Sequence, residues 1–144
     1  MKKLIFLFLV PVSLLVIFMA GGCKLDNPSN VHYTEFVMQI DSIFHPDTIR
    51  IGGTLPIRFY GTIGPDGCYS FSRFNGTLDG RNINITAYSK VSDEEVCTQQ
   101  IQYLDGVTLS VNQLDTGRYI IQVHQASPPN IIDTVFVAGF AELK

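Results

Sequence analysis

The residues able to act as nucleophiles, bases or metal ligands are few, and their spacing limits what they can do. The histidines are His32, His45 and His124, far apart along the chain. A catalytic triad needs Ser or Cys, His and a carboxylate to meet in space, and no nucleophile-elbow motif is present. Zinc would need a second cysteine pair, or a histidine at ligand spacing, beside Cys68 and Cys97, and there is none. Asp93, Glu94 and Glu95 lack the alternating spacing that calcium draws from oxygen ligands, so they read as a solvated turn. Asn75-Gly-Thr and Asn84-Ile-Thr match a glycosylation triplet, but as a turn and an outward strand position respectively. His45, beside Pro46 and Asp47, is expected in solvent, and His124 on the side of its strand away from Tyr119, Ile121 and Val123. The chain is therefore expected to be non-enzymatic, with no cofactor and no metal. A small envelope hydrolase stands as a remote alternative.

The third cysteine has a different setting. Met1-Lys2-Lys3 is a short positive start, and Leu4 to Ala20 is almost unbroken in apolar residues. Ala20, Gly21 and Gly22 then precede Cys23. A positive start, an apolar stretch and a small-residue exit describe a secretory signal peptide, here residues 1–22. Ala20-Gly21-Gly22-Cys23 resembles the bacterial lipobox, with Ala20 where that pattern most often has Leu. The resemblance implies that Cys23 is lipidated and becomes the first residue, its sulfur taking diacylglycerol as a thioether. Residues 24–32 are polar and turn-prone, so 23–32 read as lipidated Cys and tether, followed by a domain over 33–144. The expected address is the bacterial cell envelope, anchored by lipid to the outer membrane and facing the periplasm or the surface.

The whole chain carries 10 basic and 13 acidic residues, a net charge of −3. Lys2 and Lys3 fall in the segment expected to be removed, so the mature chain is more acidic still. With no basic cluster in the sequence, neither nucleic acid nor a polybasic membrane patch is expected. Past the signal peptide the compartment is oxidising, and Cys68 and Cys97 are expected to form a disulfide.

The elements that must position these residues have period two. Residues 33–41 read as a first strand, and Leu55, Ile57, Phe59, Gly61 and Ile63 form the apolar face of a second. Gly64-Pro65-Asp66-Gly67 is a turn by residue type. Cys68 to Phe74, Arg81 to Lys90, Thr98 to Leu104, Val107 to Val111, a strand through Ile121 and Val123, and Ile131 to Val137 follow. Asn75-Gly76 and Asp79-Gly80 are dipeptides that tolerate positive φ, so a hairpin or loop is expected over 75–80, and Asp105-Gly106 reads as a break between strands. The expected fold is all-β: a sandwich of seven to eight antiparallel strands.

Leu114-x-x-Gly117-x-Tyr119 resembles the corner before the penultimate strand of immunoglobulin-like and fibronectin-type domains, where a Tyr hydroxyl reaches back to the chain. The run from Gly52 to Val123 is similar to a recurrent group of bacterial lipoproteins with an immunoglobulin-like domain. That resemblance implies fold and location. The cysteines depart from the antibody pattern, since no Trp lies between them and Cys97 does not follow the corner Tyr. The expected bridge ties the loop before Cys68 to the connection ending at Cys97.

Tyr60 and Tyr88 fall on the polar sides of their strands, with Arg58 and Arg73 near them in sequence. Exposed Tyr and Arg are enriched at recognition surfaces, so these four form the candidate binding surface. The connections are short, which leaves sheet faces and edges as contact surfaces, including strand addition at an open edge. The expected function is a binding or structural module of the envelope, held to the membrane by its lipid and meeting an envelope protein. The alternative is a protease inhibitor of immunoglobulin-like fold, for which the Asn-Pro-Thr-Thr-Gly-type loop is missing.

Overall fold

The computed structural model describes residues 32–93 and 96–140. The signal-peptide, Cys23 and tether readings up to Val31, and the readings at Glu94 and Glu95, lie outside the described residues. Nine strands are present among them: β1 Tyr33–Val37, β2 Ile40–Phe44, β3 Thr48–Arg50, β4 Leu55–Gly64, β5 Tyr69–Asp79, β6 Asn82–Ser92, β7 Gln102–Val111, β8 Gly117–His124 and β9 Ile131–Ala138. They form a β-sandwich of a six-stranded and a three-stranded sheet. In the larger sheet β5 takes one edge of β6, while β8 and β1 lie end to end along the other, followed by β9 and β3. The smaller sheet runs β2-β4-β7. β6 with β8 and β3 with β9 are parallel and the rest antiparallel, so the sandwich has one strand more than the sequence pattern indicates and is not wholly antiparallel.

Alternation builds the core. Leu55, Ile57 and Phe59 of β4 face Ile83, Ile85 and Ala87 of β6 and Tyr119, Ile121 and Val123 of β8 as one buried cluster. Phe59 meets Phe74 across the two sheets, ring centroids 4.5 Å apart, and Phe74 meets Phe71 at 4.8 Å. Phe71 and Phe74 are three residues apart, so strict alternation would send them to opposite faces. A bulge at Ser72 absorbs the extra residue: Phe71 pairs with Ser89, Arg73 with Tyr88 and Phe74 with Ala87.

Three local readings are corrected by the structure. The single strand expected over 33–41 is two strands that change sheets at Met38 and Gln39. Gln125 supports the change: its Oε1 accepts from the Ile40 N–H at 2.7 Å, and its Nε2 donates to the Ile40 carbonyl at 2.8 Å. One side-chain amide thus replaces a neighbouring strand where the sheet ends. Asn75-Gly76 is not a break, because Gly76 pairs with Ile85 inside a continuous β5. The hairpin turns at Gly80-Arg81, with Gly80 at φ 57°. Asp105-Gly106 is a bulge within β7, with Phe59 opposite Val107 and Tyr60 opposite Asp105, and Gly106 at φ 69°.

The corner before β8 forms as the sequence resemblance implies. Tyr119 is buried and its hydroxyl accepts from the Asp115 N–H at 3.0 Å. Gly117 holds φ 129°, and a Cβ there would lie 2.4 Å from the Arg81 guanidinium, which stacks 5.0 Å from the Tyr119 ring centroid. Tyr119→Phe removes one hydrogen bond and no packing, so it is expected to lower stability by about 1 kcal/mol. Urea unfolding checks this: the midpoint should fall with the slope unchanged.

Candidate functional site

β5 is one edge of the larger sheet and β7 one edge of the smaller, and they lie on the same side of the sandwich. Between them is an apolar cleft of about 270 Å³ lined by Leu78, Ile83, Ile85, Leu109 and Val111, with Thr77, Ser110 and Asn112 among its polar lining. Gly76 is its origin. Its position faces inward opposite Ile85, where Phe74 fills the equivalent place one step earlier. A Cβ built on Gly76 would meet only the Leu109 side chain, at 3.9 Å. The missing side chain leaves Leu78 half exposed and the inward groups of β6 and β7 reachable from the side. The volume is just below the ~300–1,000 Å³ of small-molecule pockets. It suits one or two apolar side chains, flanked by two rows of unpaired backbone N–H and C=O groups.

The four residues singled out in the sequence do not form one surface. Arg58 and Tyr60 face outward on β4 of the smaller sheet, while Arg73 and Tyr88 face outward on β5 and β6 of the larger one. Only the second pair meets: the Arg73 guanidinium lies 4.4 Å from the Tyr88 ring centroid. Arg73 also reaches across β6 to pair with Glu35 on β1, Nη2 to Oε2 at 3.0 Å, and Ser72 donates to the same carboxylate. Lys90 lies 4.3 Å from the Tyr33 ring centroid beside them. The cations here are engaged by their own chain.

Cys68 and Cys97 are joined as a disulfide closing a sequence separation of 29, Cα atoms 5.3 Å apart. The bridge holds the start of β5 to the connection after β6, as expected. The Asp66 carboxylate comes close to both sulfurs, but disulfide sulfurs are not thiolate ligands, and Asp66 Oδ1 accepts the Cys68 N–H at 2.9 Å.

His45 is not in solvent. It is 8% exposed, its Nε2 is 3.2 Å from Asp133 Oδ2 and its Nδ1 3.1 Å from the Pro46 carbonyl. Sequence reasoning missed this because Asp133 lies 88 positions away on β9, brought near by the parallel pairing of β3 with β9. His124 does lie on the outward side of β8, near Asn130. The three histidines thus sit on separate elements, with His45 spent on a structural contact.

The family model for the ORF11 beta-sandwich domain matches residues 60–135. The chain belongs to that family. The matched span begins within β4 and ends within β9, so it includes the cleft, the disulfide and the Tyr119 corner, and leaves β1 to β3 outside. No curated protein and no solved structure matches the chain.

Two outcomes follow from these contacts. Replacing Cys68 and Cys97 together by Ser is expected to lower stability by roughly 3.6 kcal/mol on the chain-entropy model, read as the loss in unfolding free energy against the oxidised protein. The Ser72 hydrogen bond, then that of Arg73, holds the Glu35 carboxyl below its ordinary value. Its stabilising effect is therefore present above the unfolded-state value and lost as pH falls through the lower folded one. Unfolding measured down to about pH 3 should show a smaller acid loss for Glu35→Gln than for the native chain.

Proposed function

We propose that this protein is a non-enzymatic binding module of the bacterial cell envelope, anchored to the outer membrane by lipid on Cys23 after removal of residues 1–22. Its recognition surface is the open side of the sandwich, where an extended segment of an envelope protein adds to β5 or β7 and seats apolar side chains in the Gly76 cleft. The cleft between two free edges is the observation that carries the reading. Strand addition supplies affinity through main-chain hydrogen bonds and specificity through pockets for alternate side chains, and both parts are on this side. Its sequence support is the lipobox-like Ala20-Gly21-Gly22-Cys23 and the absence of a recognisable catalytic set.

The two halves of the proposal are tested separately. Labelled palmitate should enter the native chain and not Cys23→Ala; an unlabelled native chain would remove the anchor. A photo-crosslinker at Leu78 should capture a discrete envelope partner, and one at Ser42 on the far edge of the smaller sheet should not. Gly76→Val fills the cleft without a positive-φ conflict, and β-branched residues suit strands better than Gly. It is expected to fold at least as stably as the native chain and to lose the crosslink. Retention of the crosslink by a folded Gly76→Val would overturn the cleft as the site.

A further inference from the structure

Cations scattered in sequence share one face, Arg50 and Arg118 near one end of it and Arg73 and Lys90 near the other. Arg50, Arg73, Lys90 and Arg118 lie on β3, β5, β6 and β8, all on the outer face of the larger sheet. Among the described residues Glu35 and Asp79 are the carboxylates on that face, and most of the other described acids lie on loops or the smaller sheet. An acidic chain therefore presents one face with an excess of positive charge. The same face exposes Ile120, Ile132 and Phe136 at 40%, 67% and 40%, and Tyr33 at 48%. Ile120 pairs with Thr134, so Ile132 and Phe136 are its diagonal neighbours across β8 and β9, and Arg118 stands opposite Phe136. Apolar groups amid cations fit an interface that is anionic at its surface and apolar just beneath.

We propose that this end of the face lies on an anionic lipid bilayer, with Arg50 and Arg118 at the headgroups and Ile120, Ile132 and Phe136 dipping below them. The charge is complementary: juxtamembrane cations are drawn to anionic leaflets. The chain geometry agrees, because the segment before Tyr33 enters on β1 of this same sheet. Nine residues separate Cys23 from Tyr33, a reach of at most about 36 Å when fully extended. This part of the argument rests on the lipid-anchor reading, while the charge and the apolar cluster stand without it. Edge recognition in the cleft remains compatible, since the cleft opens at the β5 and β7 side rather than on the face.

The chain has no Trp, so single-tryptophan variants report position cleanly. Ile132→Trp marks the face, and Tyr103→Trp marks the outer side of the smaller sheet. The full chain is mixed with vesicles of phosphatidylcholine, or of phosphatidylcholine and phosphatidylglycerol, with brominated acyl chains as quencher. Flotation is read in parallel. Ile132→Trp should be quenched several-fold more than Tyr103→Trp, and only with phosphatidylglycerol. Adding Arg50→Glu and Arg118→Glu should abolish the difference, with circular dichroism confirming the fold. Flotation with equal quenching of both probes overturns the face and leaves the anchor standing. Flotation only with phosphatidylglycerol, with Ile132→Trp quenched, supports the face and counts against the anchor. Failure to float with either vesicle overturns both.

Discussion

The structure depends on one constraint: two sheets, each apolar on one side, must bury those sides against each other. Phe59 sits at the centre of this contact, fully buried between β4 and the larger sheet and packed on Phe74. Its neighbours Leu55 and Ile57 meet Ile83, Ile85 and Val123 in the same layer. Burial of such side chains is worth about 1.5–3 kcal/mol each before conformational entropy is counted, which makes this layer the main source of order. The bulge at Ser72 and the stretch of β7 around Gly106 are local adjustments that keep the right groups in it.

Polar contacts then fix the ends that packing alone leaves loose. The Gln125 amide satisfies the Ile40 backbone where the chain changes sheets. Tyr119 ties the corner before β8 back to Asp115, and the disulfide ties the start of β5 to the connection after β6. His45 joins the loop after β2 to Asp133 on β9. Against this background the gap at Gly76 is conspicuous. The core is incomplete beside β5 and β7, where each sheet ends in an edge strand, and the proposed recognition is built on that coincidence.

Much of the fold is legible in the chain because period-two alternation is a local signal. β4, β6, β8 and β9 are readable from it, as is the Tyr119 corner from Leu114-x-x-Gly117-x-Tyr119. Where local signals fail, a tertiary demand has overridden them. Asp105-Gly106 carries turn chemistry but serves as a bulge, because β4 continues unbroken beside it. Asn75-Gly76 carries the same chemistry and stays in a strand, because β6 pairs with it throughout. The run 33–41 divides because its two halves are buried by different sheets.

The sequence by itself determined an all-β chain, since alternation is carried by residues near one another, and its two cysteines past residue 23 indicated the disulfide. Tertiary structure alone decided the parallel pairings, the burial of His45 and the separation of Arg58 and Tyr60 from Arg73 and Tyr88. It also decided that an acidic chain has a basic face. Pairing and layering bring together residues tens of positions apart, and no local pattern records which strand will lie beside which.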